Sequence, residues 1–234
     1  MSVKVKICGI TSAADGLAAA VAGADLIGLM FYDGSPRHIS LATAADISRA
    51  LPPYVQRVGV FVNPEPELVI RTIGECNLSL LQFHGDETSE FCTQFGLMSL
   101  KAVRIRDAAS LDQLAGFQTD AFLLDAYSKG GLGGTGEKFN WDLAVEAQKF
   151  GKPIFLAGGL TPENVAEAVK KVRPFAVDVS SGVESAPGKK DHAKVRAFIA
   201  AVRSAVADAL PPLPVTSNGE LMPLPVWPGL QRTL

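Results

Sequence analysis

The chain repeats one pattern eight times: a short apolar run, a polar or glycine-containing break, and then a stretch that reads as a helix. The apolar runs begin at Lys4-Val5-Lys6-Ile7-Cys8 and recur at 25–31, 56–62, 78–83, 99–105, 121–125, 153–157 and 175–179. Helices are expected at 12–22, 41–51, 64–75, 87–95, 108–115 (the weakest), 141–150, 162–172 and 191–210, with Thr161 capping the helix that opens at Pro162. Strands alternating with helices form βαβ units and a parallel sheet. Eight units in a chain of 234 residues predict one closed (β/α)8 barrel of the TIM type, a fold that takes about 250 residues. The first strand–helix turn, Cys8-Gly9-Ile10-Thr11, lacks the GxGxxG spacing of a dinucleotide-binding sheet.

The barrel is expected over residues 1–210. From Pro211 the composition changes: six prolines and Ser217-Asn218-Gly219 fall within 211–234. Proline removes donors and fixes φ, so this segment reads as an extended or disordered tail. A hydrophobic content of 47% supports a large core, and a formal charge of -2 gives no electrostatic reason to expect nucleic acid. Three cysteines without a CxxC pair suggest neither a disulfide framework nor a zinc site, so no metal is expected and a reducing, cytoplasmic setting fits. There is no signal-peptide pattern and no apolar run long enough to span a bilayer. Membrane partners are therefore not expected.

Chemistry in a parallel barrel belongs at the carboxyl ends of the strands. Cys8 ends the first strand, and Gly9 permits a sharp turn or close approach of a ligand there. Strand alternation puts Lys6 on the same face as Cys8, where an ammonium would favour the thiolate. The alternative is that Cys8 is a small core hydrophobe. Asp125 ends the sixth strand, as a buried structural acceptor or as a general acid. Two loops resemble a phosphate clamp: Gly158-Gly159 after the seventh strand and Ser180-Ser181-Gly182 after the eighth, the usual site in these barrels. In a closed barrel Cys8 and Asp125 flank that clamp. Arg37, on the breaker-rich loop after the second strand, is either a solvated cation or a bidentate clamp for a substrate carboxylate. Gln82 and His84 close the fourth strand, where His84 is either a base or a polar rim contact. Asp178 lies inside the eighth strand, a structural acceptor or a ligand contact.

Taken together, these segments resemble the phosphoribosylanthranilate isomerase family. The resemblance rests on Lys4 to Thr11, Phe31 through Arg37-His38-Ile39, Arg57 to Asn63, Gln82-Phe83-His84-Gly85, Leu123-Leu124-Asp125, Gly133 to Gly136, Gly158 to Asn164, Asp178 to Glu184 and Pro187 to Asp191. It spans the first strand to the last helix and stops before the tail. One departure is Phe139-Asn140-Trp141, where the family commonly has Phe-Asp-Trp; Asn keeps the capping ability.

The resemblance implies the Amadori rearrangement of N-(5-phosphoribosyl)anthranilate to an aminodeoxyribulose phosphate, a step of tryptophan biosynthesis. Cys8 would be the general base at the sugar C2 and Asp125 the general acid at the ring oxygen. Arg37 would hold the anthranilate carboxylate, with Gln82 and His84 lining the substrate. Gly158, Gly159, Ser180, Ser181 and Gly182 would hold the phosphate. No cofactor is implied. The partner is a small phosphosugar, and the chain is expected as a monomer or homodimer. Two other readings remain: a different phosphosugar-binding barrel enzyme, for which the signature would be a Schiff-base lysine at a strand end, and a barrel that binds a metabolite without catalysis. Lys101 lies well before the end of its strand, and Cys8 and Asp125 are both present.

Overall fold

The structure is a computed structural model that describes residues 2–126 and 141–208. The segment Gly133 to Gly136, Asn140 and the tail at 211–234 lie outside the described residues.

Eight parallel strands close in sequence order into a barrel. They are β1 (Lys4–Cys8), β2 (Leu26–Met30), β3 (Gln56–Phe61), β4 (Leu80–Phe83), β5 (Met98–Ile105), β6 (Ala121–Ala126), β7 (Ile154–Leu156) and β8 (Ala176–Val179). The helices are α1 (Ala13–Ala22), α2 (Leu41–Ala50), α3 (Pro66–Cys76), α4 (Ser89–Thr93), α5 (Trp141–Ala147), α6 (Val165–Val172) and α7 (His192–Asp208). A small antiparallel hairpin, β9 (Glu184–Ala186) with β10 (Lys189–Lys190), follows β8 and was not anticipated from sequence. The weak helix after β5 is a 3-10 helix, Ala108–Gly116, capped by Asp107.

Period-2 alternation sorts each strand between two cores. Val5, Ile7, Phe122, Leu124, Val177 and Val179 face outward and pack under the helices. Cys8, Val58, Val60, Leu80, Leu100, Leu123, Phe155 and Ala176 fill the barrel interior. Within the outer core an aromatic ladder runs around one side. Phe61 stacks between Phe31 and Phe83, at centroid distances of 5.3 and 5.9 Å, and Phe83 continues to Phe91 and Phe95.

Three expected helix starts are corrected: the third helix begins at Pro66, not Pro64, with Glu65 as its N-cap residue, and in the other two a polar side chain is committed elsewhere. The fourth helix begins at Ser89 with Thr88 as its cap, not at Glu87. Glu87 is buried and accepts hydrogen bonds from the Asn63 and Gly85 amides. The sixth begins at Val165, not Pro162, with Asn164 as its N-cap residue instead of Thr161. The Asn164 side chain turns back, accepting from the Thr161 amide at 2.8 Å and donating to the Gly159 carbonyl at 2.9 Å. That lengthens the loop after β7.

Phe83 is fully buried at the junction of the aromatic ladder. Truncating it leaves a void its stacked neighbours cannot fill, so Phe83→Ala should cost about 3–5 kcal/mol. Urea denaturation should show this as a lowered midpoint with an unchanged slope.

Candidate active site

The carboxyl end of β1 brings together a thiol and an ion pair. Lys6 and Asp178 are direct cross-strand partners in the β1–β8 pairing. The Lys6 Nζ lies 2.9 Å from Asp178 Oδ1, with the lysine side chain fully buried. Burial disfavours the ammonium, but the charges of Asp178 and of an ionised Cys8 outweigh it and hold Lys6 above the ordinary lysine range. Cys8 is buried on the same face. Burial pushes its thiol above the ordinary range, Lys6 and Lys190 pull the other way, and Asp178 adds to the rise. The space for this arrangement comes from Gly28, the cross-strand partner of Cys8 on β2. A Cβ there would meet Cys8 Sγ at 2.7 Å, Cys8 Cα at 3.1 Å and Lys6 Nζ at 3.1 Å.

Arg37 crosses above the end of β1. Gly9 has φ +73°, and a Cβ on it would lie 2.4 Å from Arg37 Cδ, so only glycine fits on both counts. The guanidinium forms a bidentate pair with Glu184 at the start of β9: Nε donates to Oε1 at 2.8 Å and Nη2 to Oε2 at 2.7 Å. Lys190 Nζ, completely buried, lies 2.7 Å from Glu184 Oε1. Burial opposes ionisation of Glu184, yet the hydrogen bonds from Arg37 and Lys190 hold its carboxyl below the usual range. Those with Glu184 raise Arg37.

On the far side of the mouth, Asp125 sits on β6 with the inward-facing Ala121 and Leu123. His84 Nε2 approaches Asp125 Oδ2 at 3.5 Å, an ion-pair distance but not a formed hydrogen bond, and that nitrogen is buried without a hydrogen-bond partner. Gln82 Nε2 reaches His84 Nδ1 at 3.4 Å, while Gln82 Oε1 is buried and unpartnered. The turn carrying His84 is braced from behind. Lys101 Nζ bonds the Gly85 carbonyl at 2.6 Å and Glu87 Oε2 at 2.7 Å. Lys101 is thus committed to holding this turn and does not point into the barrel.

Between these two halves lie the loops after β7 and β8. Gly158 and Gly159 both have positive φ, +85° and +65°. Gly182 packs directly on the neighbouring loop: a Cβ there would overlap the Leu160 carbonyl oxygen. Among the described residues, the N–H groups of Gly158, Gly159, Ser181 and Gly182 have no backbone acceptor. Two adjacent loops with amides of this kind have the geometry that suits an anion.

The structure therefore gathers Cys8, Arg37, Gln82, His84, Asp125 and both loops around one end of the barrel. Sequence reasoning missed Glu184 and Lys190 as parts of the site. Their signal was present in the runs Val183-Glu184 and Lys189-Lys190, but the hairpin that turns them inward had not been foreseen. Among the described residues, no cluster of three or more His, Cys, Asp or Glu side chains is arranged to hold a metal ion, and no helix is long and apolar enough to cross a membrane.

Comparison with known proteins gives a consistent result. The sequence profile of the family described as N-(5'phosphoribosyl)anthranilate (PRA) isomerase matches residues 5–201. An N-(5'-phosphoribosyl)anthranilate isomerase of Trichlorobacter lovleyi is 54% identical over 204 residues, covering 87% of this chain and 100% of the relative. One from Geobacter sulfurreducens is 55% identical over 197 residues, covering 84% and 97%. The crystal structure of phosphoribosyl anthranilate isomerase from Thermotoga maritima superposes with a TM-score of 0.81 at 42% identity, covering 86% of this chain and 99% of that one. A further solved structure of phosphoribosyl anthranilate isomerase, in complex with reduced 1-(o-carboxyphenylamino)-1-deoxyribulose 5-phosphate, gives a TM-score of 0.77 at 40% identity, covering 86% and 99%.

Gly28 supplies a direct test of the β1 arrangement. Gly28→Ala should fold, because its conformation is an ordinary strand one, yet displace the thiol and the Lys6 ammonium together. Thiol alkylation with iodoacetamide should change in rate, and turnover of the family's substrate should fall by about tenfold or more, as displacements of reacting groups do.

Proposed function

The chain belongs to the N-(5'-phosphoribosyl)anthranilate isomerase family, and on that premise we propose how its own residues carry out the isomerisation of that substrate. The observation that carries the reading is the placement of Cys8 and Asp125. They face inward at the carboxyl ends of β1 and β6, on either side of two loops after β7 and β8 whose amides have no backbone acceptor among the described residues.

A phosphate in that cradle anchors one end of the substrate, with Gly158, Gly159, Ser180, Ser181 and Gly182 around it. The anthranilate carboxylate goes to Arg37, next to β1. This leaves the sugar spanning the mouth between the two reacting groups. Asp125 gives its proton to the ring oxygen as the C1–O bond breaks and the anthranilate nitrogen lone pair forms the iminium. The Cys8 thiolate takes the proton from C2, and the C–H electrons move to neutralise the iminium as an enolamine. Tautomerisation to the ketone, with a proton added at C1, completes the aminodeoxyribulose phosphate. The internal redox change moves a hydrogen from C2 to C1, so no external oxidant is required. His84 lies 3.5 Å from Asp125 and Gln82 reaches His84 at 3.4 Å, so both line the substrate beside the acid.

The thiol must ionise to act as a base, and burial opposes this. Lys6 opposes that penalty from inside the barrel, held in place by Asp178. The relative from Thermotoga maritima exists as a dimer from which monomers have been generated. For this chain we keep a monomer or homodimer, with residues 1–210 as the catalytic barrel and 211–234 as a separate tail. We propose the cytoplasm as its compartment, a reading supported by the family's role in tryptophan biosynthesis.

The test is the loss of fluorescence of freshly generated phosphoribosylanthranilate. The wild type should turn it over, and both Cys8→Ser and Asp125→Asn should lose about 10²–10⁴-fold in kcat, the contribution of a positioned base or acid. An inactive but folded wild type would overturn the reading, and active variants would overturn the two roles.

The pH dependence follows from the same groups. The mechanism needs the Cys8 thiolate and the proton on Asp125 together, so the pH profile of kcat/KM should carry one limb from each group, with the Cys8 limb above the ordinary thiol range because burial raises its pKa. Removing the cation with Lys6→Met should move that limb to still higher pH. A limb that stays in place would exclude Lys6 from setting the ionisation of Cys8.

A further inference from the structure

The Arg37–Glu184–Lys190 cluster poses a problem for the proposed reading, on which this inference rests. A guanidinium already in a bidentate ion pair is a poor candidate to capture a second carboxylate. The geometry resolves it. A guanidinium presents two forked edges, Nε/Nη2 and Nη1/Nη2. Glu184 occupies the Nε/Nη2 edge, at 2.8 and 2.7 Å. Among the described residues nothing hydrogen-bonds Nη1. The edge left over is therefore the second fork, which matches a planar carboxylate as well as the first.

The charges point the same way. Glu184 is shared with Lys190, whose ammonium is fully buried, lies 2.7 Å from Oε1 and is also held by the Ser180 carbonyl at 3.3 Å. One guanidinium, one carboxylate and one ammonium leave the cluster with a net charge of about +1, so Glu184 does not cancel the attraction for an anion. Other groups facing the cluster are Cys8, whose thiolate acts on Arg37 and Lys190, and Asp15, which accepts from the Lys190 amide at 3.1 Å. Glycine at position 9 lets the Arg37 stem lie flat across the end of β1, and the Glu184 fork fixes its rotation.

We propose that Glu184, anchored by the buried Lys190, is a positioning residue that takes one edge of Arg37 and so turns the other edge to the aryl carboxylate of the substrate, setting the enzyme's preference for a carboxylate-bearing amine. The pair is then a device for specificity. It orders a long cation before the substrate arrives, reducing the rotamer entropy lost on binding.

The alternative physical view makes the opposite prediction. If Glu184 only competes for Arg37, neutralising it frees the guanidinium and strengthens the preference for a carboxylate. If it positions Arg37, neutralising it weakens that preference. The experiment compares phosphoribosylanthranilate with the corresponding aniline derivative, made from ribose 5-phosphate and aniline, in the wild type, Glu184→Gln and Arg37→Met. The quantity read is the ratio of kcat/KM for the two substrates within each protein. The expected result is that Glu184→Gln shrinks this ratio by about tenfold, mainly through KM for the anthranilate substrate, the scale of one charge-assisted hydrogen bond. The double variant Glu184→Gln with Lys190→Met, which leaves no buried ammonium unpaired, should shrink it similarly. A ratio that grows, or one that is unchanged while both activities fall together, overturns the proposal. If Arg37→Met leaves the ratio unchanged while the wild type still isomerises phosphoribosylanthranilate, the proposal falls and the isomerase reading stands. If the folded wild type does not turn over phosphoribosylanthranilate, the isomerase reading itself fails and this inference falls with it.

Discussion

Closure of the sheet between β1 and β8 is the constraint on which the rest of this molecule depends. The two strands pair in parallel over four residues, Lys4 with Ala176 through Ile7 with Val179. That seam joins the first and last strands of the barrel, about 170 residues apart in sequence. Inside it the chain places Lys6 opposite Asp178. Removing two charges from water costs several kcal/mol each before their attraction is counted, and well-packed apolar residues would serve stability as well. The pair is better understood through its neighbour. It fixes a cation beside Cys8 at the point where the interior meets the mouth.

Below that level the interior is apolar, with Val58, Val60, Leu80, Leu100 and Phe155. Above it, charges are arranged in two groups. One is Arg37, Glu184 and Lys190 over β1 and β8; the other is Asp125 with His84 and Gln82 over β4 and β6. The loops after β7 and β8, whose amides have no backbone acceptor among the described residues, lie between them. The proposed function sets a phosphate among those amides, the aryl carboxylate at Arg37 and the sugar between Cys8 and Asp125. The buried Glu87–Lys101 pair serves the second group indirectly, because both residues hold the turn on which His84 stands.

Glycine decides local geometry where two backbones or a backbone and a side chain must come closer than a Cβ allows. Gly182 touches the Leu160 carbonyl, Gly9 lies under the Arg37 stem, and Gly28 leaves room for a sulfur and an ammonium together. At Gly9 the positive φ and the close approach coincide, so no other residue satisfies both.

The eight-fold strand–helix alternation, and with it the position of the candidate residues at the strand ends, was legible in the sequence, because periodicity 2 and turn residues are local signals. Cys8, Asp125, Gln82 and His84 could be read from their positions after apolar runs, and strand alternation placed Lys6 on the Cys8 face. The wrong helix starts at Glu87 and Pro162 are also instructive. Each looked like a helix terminus locally, and each was overridden by a side chain bonding a distant or preceding backbone group. What only the tertiary structure decided is which residues meet: Lys6 with Asp178, 172 residues away, and Arg37 with Glu184, 147 away. Local propensity carries no information about such pairs. Their partners are set by barrel closure and by a two-strand hairpin, and the electrostatic character of the site follows from those long-range contacts.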